Sequence, residues 1–133
     1  MSVESGAVVN RPNPRTIPVP RPIILVTGGR DYGDRLTIAT VLTLIDPGLV
    51  IQGGARGADE MARSWAVTNG VHVCEVPALW DNYGKAAGHK RNAVMVELCA
   101  RLGGSIVAFP GGTGTASCVA LARAKGLDVR VIE

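Results

Sequence analysis

The residues best suited to chemistry in this sequence form a glycine- and threonine-rich loop, Pro110–Thr115. An apolar run that indicates a buried strand, Ser105–Phe109, precedes it, and an amphipathic run that indicates a helix, Gly114–Lys125, follows. Glycine lets the backbone approach a ligand, and the first N–H groups of a helix have no partner within the helix. These groups and the helix dipole together favour an anion such as phosphate. We therefore expect phosphate contacts from Gly111, Gly112, Thr113, Gly114 and Thr115. A plain turn with a threonine N-cap is the alternative.

A second loop of this kind follows the first predicted strand. In Thr27–Gly33 (TGGRDYG), paired glycines leave backbone N–H groups free, and an arginine can hold a phosphate through two hydrogen bonds. The ligand-binding candidates here are Gly28, Gly29 and Arg30. A turn with a surface arginine is the alternative.

A third loop, Gly53–Asp59 (GGARGAD), resembles a nucleotide-binding loop but matches neither GxGxxG nor GxxxxGK[ST]. Its candidates are Gly53, Gly54, Arg56 and Asp59. Asp59 falls in the first turn of the next helix. It either complements the helix dipole or bonds a ribose hydroxyl or the N–H groups of its own loop, and the sequence leaves these alternatives open.

The fourth loop, Trp80–Asn92, concentrates aromatic and basic side chains. An aromatic ring beside lysine and arginine suits a base or a phosphorylated sugar, although a solvated loop has a similar composition. The candidates are Trp80, Lys85, Arg91 and Asn92. No catalytic role is predicted for His89.

Strands and helices alternate strictly along the chain, which predicts an α/β fold. The predicted strands are Ile23–Thr27, Leu49–Gln52, Val71–Val76, Ser105–Phe109 and Val129–Ile132. The predicted helices are Leu36–Ile45 (with Leu36, Ala39, Leu42 and Ile45 on one face), Ala58–Thr68, Ala87–Leu102 and Gly114–Lys125. Right-handed crossovers then give a Rossmann-like three-layer sandwich, a five-stranded parallel sheet of order 3-2-1-4-5. Ligands of such sheets bind where the strand order reverses, here between the first and fourth strands.

Composition separates a tail from this domain. Residues 1–22 hold five of the eight prolines and two units of the net charge of +3, which predicts a flexible proline-rich arm before a nearly neutral domain, 23–133. Neither a secretory signal nor an apolar run long enough for a membrane span is present. Three scattered cysteines predict free thiols in a reducing compartment and no metal site. We therefore expect a cytoplasmic protein that does not associate with membranes.

The four loops, in this order, resemble the SLOG superfamily of Rossmann-like proteins, and more narrowly its YspA-type, YpsA-related branch. The resemblance covers about residues 23–133 and rests on ILVTGGRDY (24–32), GGARGAD (53–59), ALWDNYGKAAGHKRN (78–92) and FPGGTGT (109–115). It implies a nucleotide or nucleotide-derived ligand, such as an ADP-ribose-like molecule, and no separate cofactor. The Lonely Guy branch hydrolyses the N-glycosidic bond of cytokinin nucleotides, and the DNA-processing protein A branch binds single-stranded DNA.

One position departs from the Lonely Guy pattern, PGGxGTxxE. Cys118 stands where that branch has its catalytic glutamate, and Ser117 precedes it. A glycosidic hydrolase needs a group that activates water and stabilises an oxocarbenium-like centre. The acids that could substitute are Asp59, Glu60 and Asp81, so any catalytic assignment stays open.

These observations rank three functions. Binding of a nucleotide-derived ligand, as a sensor or carrier, comes first, and a nucleoside 5′-monophosphate phosphoribohydrolase comes second. A nucleic-acid partner comes third, because the domain is nearly neutral and only 4% of the residues are aromatic. The apolar residues Val94, Met95, Leu98, Cys99 and Leu102, with the dimers formed by related proteins, favour a homo-oligomer over a helix that is simply buried.

Overall fold

Short β-branched segments form the sheet of the computed structural model, which describes residues 20–133. Successive side chains of a strand point to opposite faces of the sheet, and the central strands bury both faces. A 3-10 turn, Gly84–Ala86, joins the third helix to the fourth. The elements in chain order are β1 Ile23–Thr27, α1 Arg35–Ile45, β2 Leu49–Gln52, α2 Ala58–Thr68, β3 His72–Glu75, α3 Trp80–Tyr83, α4 Ala87–Arg101, β4 Ser105–Ala108, α5 Thr113–Ala124 and β5 Val129–Val131.

All neighbouring strands are parallel, in the order β3-β2-β1-β4-β5. Leu25 in β1 pairs with Ile51 on one side and with Ile106 on the other. The predicted fold class and strand order are therefore confirmed. The order reverses between β1 and β4, so the loops after these strands diverge and leave a crevice.

Two apolar layers cover the sheet. Ile24 and Val26 pack in a cluster with residues of α1 and α2, whereas Leu25 packs in a second cluster with residues of α4 and α5. The alternation along β1 thus assigns one pair of helices to each face, which is the three-layer arrangement predicted from the sequence.

Two local predictions need correction. Leu36 does not face the core: it is 77% exposed, and α1 buries Ile38 and Leu42, one helical turn apart. The loop predicted after Val76 contains a turn of helix, α3, which brings Trp80 back over the start of α4.

Of the tail predicted for residues 1–22, residues 1–19 lie outside the described residues. Its last residues contact the turn between α1 and β2. The Arg21 guanidinium is 2.7 Å from the Asp46 carboxylate, and the Pro22 carbonyl accepts a hydrogen bond from the N–H of Gly48 at 2.8 Å.

The three cysteines are free thiols, buried at Cys99 and Cys118 and half-buried at Cys74 on the edge strand β3. Within residues 20–133, no helix combines the length and the apolar character that crossing a bilayer requires.

Candidate functional site

Backbone hydrogen bonds fasten three of the four loops to one another. The N–H of Gly29 donates to the carbonyl of Pro110 at 2.9 Å, and the Gly29 carbonyl accepts from the N–H of Ala58 at 3.1 Å. A Cβ on Gly57 would lie 2.2 Å from the Gly29 oxygen, and one on Gly111 would lie 2.7 Å from the Gly29 nitrogen. The loops after β1, β2 and β4 therefore need glycine where their backbones meet.

The first turn of α5 presents backbone donors to solvent. Ala116 is the first residue whose N–H bonds back toward the helix start, to the carbonyl of Gly112 at 3.0 Å. Among the described residues, no acceptor is bonded to the N–H groups of Thr113, Gly114 and Thr115. The N-cap residue is Gly112 and no side chain caps the helix, so the threonine cap considered as the alternative does not form. Three donors at the positive end of a helix dipole can bind an anion.

Asp59 holds the loop after β2 in place. Its Oδ2 accepts hydrogen bonds from the N–H groups of Gly53 at 3.1 Å and Ala55 at 3.3 Å, and the residue is only 7% exposed. Burial raises the pKa of this carboxyl above its ordinary value, although the two N–H bonds and the charge of Arg91 oppose that shift. Of the alternatives left open by the sequence, the structure contains both the position in the first turn of α2 and the bonds to loop N–H groups.

Arg91 and Asn92 connect α4 to two of the loops. The Arg91 guanidinium donates to the carbonyl of Gly53 at 2.5 Å and to the Asn92 side-chain oxygen at 3.0 Å. Asn92, only 6% exposed, donates to the Gly114 carbonyl at 3.2 Å. Both side chains therefore position the loop after β2 and the start of α5.

A cavity of about 580 Å³ opens between these loops and α4. This volume lies within the range of about 300–1,000 Å³ typical of small-molecule sites. Most of the predicted ligand-binding residues line it: Gly28, Gly29, Arg30, Asp59, Trp80, Lys85, Arg91, Asn92, Gly112, Thr113, Gly114 and Thr115. Four do not: Gly53, Gly54, Arg56 and Gly111.

The four predicted residues that do not line the cavity lie elsewhere in the structure. Gly53 packs beside the Arg91 side chain of α4, Gly111 lies where the loops after β1 and β4 meet, and Gly54 packs beside the Glu75 side chain. Arg56 is 3.1 Å from the Asp31 carboxylate on the surface, where both side chains are well exposed.

One end of the cavity combines aromatic and cationic groups. Trp80 is 47% exposed, and the Arg30 guanidinium lies 5.6 Å from the centre of its ring. Lys85, in the turn before α4, lines the same cavity. Tyr83 is exposed to a similar extent and holds the Lys90 ammonium 4.8 Å from its ring centre, but it does not line the cavity.

The acids considered for catalysis are dispersed. Glu60 and Asp81 are exposed and do not line the cavity, whereas Asp59 does. Cys118, at the position of the Lonely Guy glutamate, is fully buried, and burial raises the pKa of its thiol to about 11. In residues 20–133, no three side chains of His, Cys, Asp or Glu are grouped closely enough to hold a metal ion.

Six cavity-lining residues were not among the sequence candidates: Thr27, Ala55, Gly88, His89, Met95 and Ser117. His89 and Ser117 also contact each other, with 2.9 Å between Nδ1 and Oγ. The polar segment GHKRN, directly before the apolar part of α4, contains predicted ligand-binding residues and could have indicated His89 as well.

Comparisons with known proteins identify the family of this chain. The family model of the YspA, cpYpsA-related SLOG family matches residues 22–83. The Gene 61 protein of Mycobacterium phage D29 is 37% identical to the chain, over 80% of this chain and 92% of the phage protein. The solved structure of DNA processing protein A from Streptococcus pneumoniae is 18% identical with a TM-score of 0.45, and the match covers 81% of this chain but only 58% of that one. The chain therefore belongs to the YspA, cpYpsA-related SLOG family.

Proposed function

We propose that residues 23–133 form a domain that binds a nucleotide or nucleotide-derived ligand, as a sensor or carrier. The observation that carries this proposal is the row of backbone donors at Thr113, Gly114 and Thr115, which open into the same cavity as Trp80. A phosphate on the amides and a base on the indole would occupy two parts of one ligand.

The charges around the cavity support an anionic ligand. Arg30, Lys85 and Arg91 contribute three positive charges, against one carboxylate at Asp59. The Arg91 guanidinium already bonds the Gly53 carbonyl, so Arg30 and Lys85 are the cations best placed to reach a ligand. An ADP-ribose-like molecule would place a second phosphate near them.

Binding ranks above N-glycosidic hydrolysis because the acids needed for hydrolysis have other surroundings. The carboxylate of Asp59 accepts two loop N–H bonds, and Cys118 is buried where the Lonely Guy branch has its glutamate. A hydrolase would need a free carboxylate or other base at the sugar.

Calorimetric titration with nucleoside 5′-phosphates and ADP-ribose tests the proposal. Gly112→Asp puts a carboxylate beside the free N–H groups, and no atom lies within 4 Å of the added Cβ. We expect this change to abolish binding. Gly33→Asp is the matched control, because that glycine is equally unhindered and lies outside the cavity lining.

Wild-type protein that binds none of these compounds would refute the proposal. So would a Gly112→Asp variant that is folded, as judged by circular dichroism, and binds as tightly as Gly33→Asp.

We also propose that the protein forms a homo-oligomer through the outer surface of α4. Val94, Leu98 and Leu102 follow one another at intervals of four residues and form a stripe. Val94 is 56% exposed and Leu102 44%, while Leu98 is only partly buried. A second copy of the chain would cover this stripe.

A further inference from the structure

His89 and Ser117 form a hydrogen-bonded pair in the wall of the cavity. They belong to different helices, α4 and α5, and both line the cavity. Ser117 lies four residues after Thr113 and three after Gly114, and therefore on the same face of α5 as these two residues of the first turn. A helical side chain leans toward the helix N-terminus, so the Ser117 hydroxyl lies over the first turn of α5.

The charge of the imidazole decides what this pair offers to a ligand. A neutral ring whose Nδ1 is unprotonated accepts a hydrogen bond from the Ser117 hydroxyl, so that hydroxyl proton is not available to a ligand. A protonated ring donates from Nδ1 to the Ser117 oxygen, which frees the hydroxyl proton to bond elsewhere. Among residues 20–133, the other ring nitrogen, Nε2, has no hydrogen-bond partner. A neutral ring that accepts at Nδ1 carries its proton on Nε2, so protonation adds one donor to the cavity, the Ser117 hydroxyl, and gives the existing Nε2–H donor a positive charge.

We propose that His89 and Ser117 form a proton-coupled recognition site for a phosphomonoester, the terminal phosphate of the bound ligand. The inference rests on the proposed function, in which the amides of α5 hold that phosphate. A phosphomonoester carries about −1.5 to −2 charges at pH 7 and three terminal oxygens, whereas a phosphodiester carries one charge. The second charge is the one that a protonated imidazole compensates. Binding a monoester would then draw a proton onto His89.

Other charged groups around the cavity do not replace this function. Arg30 from the β1 loop, Lys85 from the turn before α4 and Arg91 from α4 itself supply positive charge, but none of them bonds Ser117. On α5, the Cys118 thiol stays protonated because its pKa is about 11. Asp59 from α2 also lines the cavity, and burial raises the pKa of its carboxyl, so proton uptake by this acid is measured separately. The test therefore compares variants at His89 with a variant at Asp59.

The experiment is calorimetry near pH 7.5 in two buffers with different ionisation enthalpies, which counts the protons taken up per ligand bound. The probes are a nucleoside 5′-monophosphate, already dianionic at this pH, and the methyl ester of the same phosphate. We expect wild type to take up a fraction of a proton with the monophosphate and less with the ester. Because binding takes up a proton, monophosphate affinity should fall as the pH rises, by up to about tenfold per pH unit.

The variants separate the sources of that proton. His89→Gln should lose the uptake and bind both compounds with similar affinity, whereas Asp59→Asn should retain the part that depends on His89. Ser117→Ala should weaken binding of the monophosphate more than binding of the ester.

Wild-type uptake no greater than that of His89→Gln would overturn the inference, as would an equal loss of affinity for both compounds in that variant. If wild type binds the monophosphate but takes up no proton that depends on His89, this inference is contradicted while the proposed function stands. If wild type binds no nucleoside phosphate at any pH, the proposed function fails with it.

Discussion

The carboxylate of Asp59 accepts a hydrogen bond from the backbone N–H of Gly53, 3.1 Å away, and the same oxygen accepts a second from Ala55. The acid lies in the first turn of α2 and the two donors lie in the loop before it, so the helix closes its own preceding loop. Its other oxygen has no hydrogen-bond partner among the described residues. The residue is buried, so its ionised carboxylate loses favourable hydration, which costs free energy.

This burial predicts a distinctive pH dependence for Asp59→Asn. In the folded protein the pKa of the Asp59 carboxyl lies above its ordinary value of 3.8, so the folded state binds this proton more tightly than the unfolded state. The unfolding free energy of wild type, relative to that of the variant, should fall as the pH rises from about 3.8 through the raised pKa. Above that pKa the difference should be constant. Urea unfolding of both proteins between about pH 3 and pH 8 measures it.

The asparagine keeps an oxygen that can accept from Gly53 and Ala55, so the loop is retained in the variant. Asp81→Asn is a suitable control, because Asp81 is exposed and outside the cavity. A wild type that gains stability relative to Asp59→Asn over this pH range would contradict the prediction.

The order of the strands followed from the sequence because each element carries its own local pattern. Apolar runs mark the strands, glycines occur in the loops after β1, β2 and β4, and the handedness of crossovers leaves few topologies. The loops that line the cavity were predictable for the same reason: they follow strands that meet at one edge of the sheet.

What the sequence could not predict depends on contacts between distant segments. His89 and Ser117 are 28 residues apart and meet only because α4 packs against α5. Arg91 was predicted to bind a ligand, but its hydrogen bond to a carbonyl 38 residues away could not be predicted. Leu36 was wrongly assigned to the buried face of α1. Apolar residues occur on more than one side of this helix, so the spacing of apolar residues does not by itself identify the side that packs on the sheet.

Trp80→Ala should weaken binding of a nucleoside phosphate while leaving the phosphate site intact. Loss of a base–aromatic stack costs about 1–3 kcal/mol, roughly a five- to 150-fold change in Kd. Affinity for ribose 5-phosphate, which has no base, should be unchanged. Calorimetric titration of both ligands into the variant and wild type provides the measurement.

Tyr83→Ala is the matched control for that substitution. Tyr83 is 49% exposed, close to the 47% of Trp80, but does not line the cavity. If the two alanine variants bind the nucleotide equally well, Trp80 does not stack on the base.

Glu97→Gln should lower the stability of the pairing between α4 and α5. The Glu97 carboxylate bonds Lys125, just beyond the end of α5, and is 2.8 Å from Arg101 on its own helix. Lys125, followed by Arg101, lowers the pKa of this carboxyl from 4.5 to about 2. Its stabilising contribution is therefore complete above pH 4.5 and is lost as the pH falls toward 2.

Urea unfolding at several pH values should thus show wild type more stable than Glu97→Gln near neutrality, with the difference vanishing toward about pH 2. Because the groups are partly exposed, added salt should also reduce the difference. Asp128→Asn, at an exposed acid that forms no ion pair within residues 20–133, should show neither effect. Equal dependence on pH and salt in the two variants would exclude a specific role for the Glu97 pairs.

Val94→Asp should convert the proposed oligomer to a monomer. The Val94 side chain is 56% exposed at the first position of the apolar stripe on α4. Burial of the variant side chain by a second copy would therefore place a carboxylate in an apolar contact without a partner. Sedimentation equilibrium of wild type and variant measures the change in mass. Val67→Asp is the matched control, since Val67 is 65% exposed on α2, the helix that packs on the opposite face of the sheet. A wild type that sediments as a monomer, or a Val94→Asp variant with the wild-type mass, would rule out assembly through this surface.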